Sequence, residues 1–256
     1  MTVLVGATIP AYLAEQPRTS LAWLDSAERM SEQSNVEFFA TLETDGRGLD
    51  PFQQVTRRLE GLGGSWWSFS IDTGEEEITT QNRLSRICAG RNLIIDRALA
   101  DAECSHVLFL DADVQVPADS VERLLSLDWP IVGGNVPSYC LDGPRLRWEQ
   151  RDNGWYGHLP HGHMPLEGET VGPFPHRRDL REHWNTAAVL LVARELFRVV
   201  RWGYDDVDGG QSDDPWFAER CRMLGWPTIV DHDLSCAHTP LVPLEARGLD
   251  RRWLRT

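Results

Sequence analysis

No lysine occurs anywhere in the sequence; all 25 basic side chains are arginine. That absence removes a Walker A phosphate loop, a Schiff base and every other lysine-dependent reaction at once. It leaves arginine, the better bidentate partner for phosphate, as the one permanent cation. A GC-rich coding sequence accounts for the bias better than selection for function does. Long apolar runs are missing too: none approaches the roughly 20 residues that cross a bilayer, so no membrane span is expected. Residues 1–6 carry no basic region and pass straight into strand-like sequence, so a signal peptide is not expected and a cytoplasmic location is. Cysteine is sparse, five in number and without a CxxC pair, as expected of reduced structural thiols. A positive surface is lacking as well. The formal net charge of −14 argues against general binding to nucleic acid, although arginines at 177–181 and in the 247–256 tail keep a local basic patch open.

What is present is ordinary for a globular chain, 41% hydrophobic and 25% charged. With no linker-like stretch in 256 residues, a single α/β domain is expected. The most informative segment is 107–113, Val-Leu-Phe-Leu-Asp-Ala-Asp. Its continuous apolar run predicts a strand buried on both faces, and ligands collect at the carboxyl ends of such strands. Strand alternation predicts that Asp111 and Asp113 point the same way. Two carboxylates so placed call for a cation, and hard oxygen donors suit Mg²⁺ or Mn²⁺. The plainer alternative is that one aspartate caps a helix beginning near Pro117 and the other is solvated.

Around this segment the pattern alternates. Strands are predicted at 3–9, 36–42, 66–71, 107–113, 130–134, 187–193, 228–231 and 234–238. Helices are predicted at about 20–34, 52–62, 79–102, 117–126, 194–199 and from Ser212, a good N-cap, through Leu224. Repeated β-α-β order predicts a sheet with crossover helices. Gly90, inside the 79–102 helix with Arg83, Arg86 and Arg91, marks either close packing or a break. Residues 137–183, rich in Gly, Pro, His, Trp and Arg, interrupt the order and read as a hairpin plus a long loop. His158, His161 and His163 within it fit no standard zinc spacing and read as surface side chains.

In this order the features resemble the GT-A glycosyltransferases, and among them the family 2-like enzymes of small phage and bacterial type. "IPAY" at 9–12 looks like the family's nucleotide loop and "AGRNLIIDRAL" resembles its Ala-Arg-Asn-x-Gly helix, with leucine at the final glycine. "VLFLDAD" is similar to the Asp-x-Asp strand and "NTAAVLLVARELF" to the sugar-site strand. "SDDPWFAERCRMLGW" looks like the acidic helix, and "LSCAHT" falls where a late histidine ligand stands. The resemblance implies a single GT-A domain over 1–256, Rossmann-like, with a mixed, mostly parallel sheet flanked by helices. Within it, 1–135 would be the nucleotide-binding half, 136–186 an acceptor-side insertion, 187–240 the acceptor and catalytic half, and 241–256 a tail.

The same resemblance implies a metal-dependent hexosyltransferase taking a UDP- or GDP-sugar. Asp113 and His238 would bind Mn²⁺ or Mg²⁺, with Asp111 on the ribose or a metal-bound water. Arg91 would pair with the diphosphate, Pro10 and Tyr12 would border the base, and Glu43 or Asp45 would accept from base or ribose. Trp184 and Asn185 would line the donor sugar. Asp214 is the implied base of an inverting transfer, with Asp213 orienting the helix start or the sugar. Each has a plainer role: loop packing for Tyr12 and Trp184, a surface ion pair for Arg91, helix capping for the aspartates. The acceptor stays open between a protein, a glycan and a modified DNA base. Two other readings compete. A nucleotidyltransferase on a nucleotide sugar lacks its lysine-bearing loop here, and a non-catalytic binding module would not be expected to keep all of Asp111, Asp113, Asp214 and His238.

Overall fold

A computed structural model describes residues 1–11, 21–33, 35–44, 48–71, 80–136, 139–142, 145–148, 188–205 and 213–238, with the backbone alone at a few of these positions, His238 among them. Seven strands form the central sheet in the order β10-β6-β9-β4-β1-β2-β3. Here β1 is Thr2–Ile9, β2 Val36–Glu43, β3 Ser65–Phe69, β4 Cys104–Asp111, β6 Ile131–Asn135, β9 Val189–Ala193 and β10 Ile229–Ser235. All neighbours run parallel except β9, which is antiparallel to both β4 and β6. The fold is therefore α/β with a mixed, mostly parallel sheet, as expected. Two small ribbons complete it, β5 (Val114–Gln115) with β11 (Ala237–His238), and the hairpin β7 (Tyr139–Asp142) with β8 (Arg145–Trp148).

The continuous apolar runs are explained by burial on both faces. Along β1, Val3, Val5, Ala7 and Ile9 join one core while Leu4 joins the other. Along β4, Leu108 and Leu110 alternate with Val107 and Phe109 in the same way. On the first face lie α1 (Ala22–Met30), α2 (Gln53–Gly61) and α4 (Ser120–Leu125), which bury Trp23, Leu24, Val55, Leu59, Val121 and Leu124. On the second lie α3 (Thr80–Ala100) and α5 (Asp213–Met223), with Ile94, Ile95, Phe217 and Cys221 packed against Phe109 and Phe197. Each fully buried large side chain contributes roughly 1.5–3 kcal/mol.

Helix α3 runs unbroken through Gly90, so close packing, not a break, accounts for that glycine. A Cβ there would run into the Thr8 side chain and come within 2.9 Å of Thr41 Oγ1. Gly6 of β1 answers it, since a Cβ at Gly6 would sit 2.6 Å from Ile94 Cγ2. Absent side chains on both partners press this helix onto the sheet.

Three local expectations are corrected. Strand β4 begins three residues earlier than predicted, at Cys104, and ends at Asp111; Ala112 and Asp113 form a turn. Alternation along one strand therefore does not set the direction of Asp113. Helix α4 starts at Ser120, after Pro117, and is capped by no side chain, so neither Asp111 nor Asp113 serves it as a cap. The segment Arg194–Arg198 is a 3-10 helix.

Candidate active site

The sheet changes direction beside β1: β2 and β3 add on one side, β4 on the other. A crevice at the carboxyl ends of strands at such a switch point is where open α/β sheets bind ligands. Register fixes what lines it. Thr8 is level with Asp111 across one ladder, and Ile9 with Leu42 across the other, so Pro10, Glu43 and Asp111 emerge along one edge.

Asp111 is held by its backbone, whose amide donates to the carbonyl of Ala188 at 3.0 Å. Its side chain is 41% exposed. Asp113 follows, half-buried, in the turn that leads to β5. The chain returns there from far along the sequence, because β11 pairs antiparallel with β5 and sets His238 opposite Val114. The backbone of His238 thus lies beside the Asp113 turn.

The centre of the cluster is Arg91, delivered by α3 and 5% exposed. Its Nη1 donates to Asp213 and, at 3.1 Å, to Asp214 Oδ1; its Nη2 donates to Asp111 Oδ1 at 3.1 Å. One planar guanidinium therefore joins the end of β4 to the start of α5. Burial opposes its positive charge, but the carboxylates of Asp213, Asp214 and Asp111 outweigh that and raise its pKa. The guanidinium carbon also lies 4.5 Å from the centroid of the Trp202 ring, which stacks on Phe217 at 4.2 Å. The next residue along the helix, Asn92, fixes the Trp202 backbone from both sides. Its Nδ2 donates to the Trp202 carbonyl at 3.1 Å and its Oδ1 accepts from the Trp202 amide at 3.0 Å. Gly-Arg-Asn thus has three separate tasks in consecutive residues: contact with the sheet, carboxylate binding and a clamp on Trp202. One turn earlier, burial and then the negative charge of Asp213 push the Cys88 thiol up to about 12, so it is protonated and no nucleophile.

Glu43 is committed within the protein. It is 1% exposed, its Oε2 accepts from the Ala11 amide at 3.1 Å, and its Oε1 pairs with Arg86 at 2.9 Å. The carboxylate thereby ties the loop after β1, with buried Pro10, to α3.

No family model and no curated protein matches the sequence. Solved structures do match. The mannosyltransferase PcManGT of Pyrobaculum calidifontis, in complex with GDP-mannose and Mn²⁺, aligns over 96% of this chain at 17% identity and a TM-score of 0.53. TarS of S. aureus, residues 1–349, aligns over 93% at 13% identity and the same TM-score. This chain spans 59% and 60% of the lengths of those two chains. The fold is GT-A.

At this GT-A sheet edge, Asp111, Asp213, Asp214 and Arg91 come together around one guanidinium, and the backbone of His238 lies beside Asp113. Two placements differ from expectation. Both terminal nitrogens of Arg91 meet protein carboxylates, where a diphosphate was expected. Glu43, expected at the base or ribose, is buried with its oxygens meeting the Ala11 amide and Arg86. Tyr12, Asp45, Trp184, Asn185, Ser212 and the histidines at 158, 161 and 163 lie outside the described residues. Trp202 and the role of Asn92 went unread in the sequence. Asparagine in a helix interior is an unfavourable choice that needs a partner, and that was the available signal.

Proposed function

We propose that this protein is a glycosyltransferase that moves a sugar from a UDP- or GDP-sugar to an acceptor hydroxyl, with inversion and with Mn²⁺ or Mg²⁺. The observation that carries the reading is the set of acidic groups at the carboxyl edge of a GT-A sheet: Asp111 and Asp113 at the end of β4, Asp213 and Asp214 at the start of α5. The mannosyltransferase of P. calidifontis, bound to GDP-mannose and Mn²⁺, supports the donor class and the metal.

Carboxylate oxygens suit a hard divalent cation, and the backbone of His238 lies beside the Asp113 turn. Among the described side chains no three such groups converge on one point, so Asp113 and Asp111 would hold the metal together with His238 and the donor's own phosphate oxygens. When bound, the cation offsets the negative charge that develops on the leaving diphosphate. The rest falls to the chain itself. Pro10 and the loop tied down by Glu43 and Arg86 form one wall of the nucleotide crevice. Asp214 takes the proton of the acceptor hydroxyl, whose oxygen forms a bond to the anomeric carbon as the bond from that carbon to the diphosphate oxygen breaks. Asp213, buried against Arg91, orients the start of the helix that carries the base. Residues 140–183 would cover the acceptor. Incubation with a panel of UDP- and GDP-sugars and Mn²⁺ tests the reading: release of free nucleoside diphosphate, abolished by EDTA and restored by added Mn²⁺, is expected. Absence of both release and Mn²⁺-dependent nucleotide binding across the panel would remove it.

A further inference from the structure

The expected partner of Arg91 was a diphosphate, yet the structure gives both terminal nitrogens to three aspartates from two separate elements. Asp111 ends β4, and Asp213 and Asp214 open α5 immediately after residues outside the described set. The first turn of any helix carries amides with no partner inside the helix and is the turn that frays, so the position of a side chain there depends on external ties. Arg91 is well placed to supply one. It projects from a 21-residue helix pressed onto β1 through Gly90 and Gly6, which makes α3 a rigid reference. Its plane is held as well: Trp202 lies under the guanidinium, and Asn92 pins the Trp202 backbone with two hydrogen bonds. A planar fork with fixed donor directions sets both distance and orientation, which a point-charge ammonium does not.

We propose that Arg91 is a positioning residue: it sets the Asp214 base, through the start of α5, at a fixed place relative to the metal-binding end of β4, and it does not bind the donor. The inference rests on the glycosyl-transfer reading of the same site. Because a displacement of about 1 Å costs on the order of 10²-fold in rate, loss of the fork acts on turnover, while donor affinity, supplied by other residues, stays close to that of the wild type.

Three variants test it: Arg91→Lys, which keeps a cation in the pocket; Arg91→Gln; and Arg91→Gln combined with Asp213→Asn, which removes the cation together with one of its carboxylates and so relieves their repulsion. Two readouts are taken on the full chain with Mn²⁺. In steady-state kinetics with an active nucleotide sugar, kcat should fall by about 10²-fold in Arg91→Gln and in Arg91→Lys, with donor KM within about threefold of wild type. In amide hydrogen exchange, residues 217–219, whose amides would bond the carbonyls of 213–215, should exchange faster in Arg91→Gln, while residues 92–99 of α3 keep wild-type protection. A large rise in donor KM with unchanged exchange at 217–219 would overturn the proposal and return Arg91 to the diphosphate. So would unchanged kcat in both single variants. If Arg91→Gln does not fold, Arg91→Lys and the double variant carry the same two readouts. If the wild type acts on no nucleotide sugar, the function is wrong, and exchange at 217–219 still decides whether Arg91 holds the helix start.

Discussion

Two arginines, on opposite faces of the sheet, meet buried aspartates in different ways. Arg123 of α4 grips Asp231 of β10 with a fork, Nη2 to Oδ1 at 2.9 Å and Nε to Oδ2, and Asp231 is 2% exposed. One guanidinium faces one carboxylate in that fork. Arg91 faces three carboxylates from two separate elements, at the carboxyl edge of the sheet. A one-to-one fork ties two elements together, whereas a guanidinium shared among three carboxylates fixes several side chains relative to one another.

The largest effect that would sharpen this contrast is at the metal. Asp113→Ala, or His238→Ala, should abolish Mn²⁺-dependent nucleotide binding while the thermal transition stays cooperative, as followed by calorimetry with Mn²⁺ and a nucleoside diphosphate. Next comes the base. Asp214→Asn keeps the shape and a hydrogen-bonding group but cannot take a proton, so turnover should drop by ~10²–10⁴-fold with donor affinity little changed. Near-normal turnover in Asp214→Asn together with a dead Asp213→Asn would exchange the two roles, and a product anomer matching the donor's would show retention. The Arg123–Asp231 fork should respond in the opposite sense. Asp231→Asn should cost about 1–3 kcal/mol of stability in denaturant melts, less than a fully buried pair because Arg123 is 36% exposed, and leave kcat at wild-type level.

The smallest effect comes from His106 on β4, whose pKa burial lowers from 6.5. The folded state resists its protonation and the unfolded chain does not. Its contribution to stability is therefore complete above pH 6.5 and declines as pH falls below that value towards the lowered folded pKa. His106→Gln should flatten this part of the stability profile without altering activity.

Much of the fold could be read in advance, because strands buried on both faces write themselves as unbroken apolar runs, as 107–110 and 189–192 do. The Asp-Asp helix start was legible too, because acidic residues after a capping serine mark a first helical turn, where Asp213 and Asp214 stand. What escaped were partners. Arg91 and Asp213 lie 122 positions apart, and nothing local distinguishes an arginine that will face a ligand from one that will face protein carboxylates. Glu43 shows the same gap, since its burial depends on Arg86 and the Ala11 amide closing over it. Asp113 falls in a turn and not in the strand, because β4 stops at Asp111, where antiparallel pairing with β9 ends.

The proposed function rests on Asp111 and Asp113 holding a metal together with the donor's diphosphate at this sheet edge. Its most direct test is titration of Mn²⁺ into the wild-type protein with and without UDP or GDP, followed by calorimetry, alongside the Asp113→Ala variant. We expect stoichiometric binding of one Mn²⁺ per chain that tightens when the diphosphate is present and disappears in the variant. Binding of nucleoside diphosphate that is indifferent to Mn²⁺ and to Asp113→Ala, or no binding of either, would contradict the account.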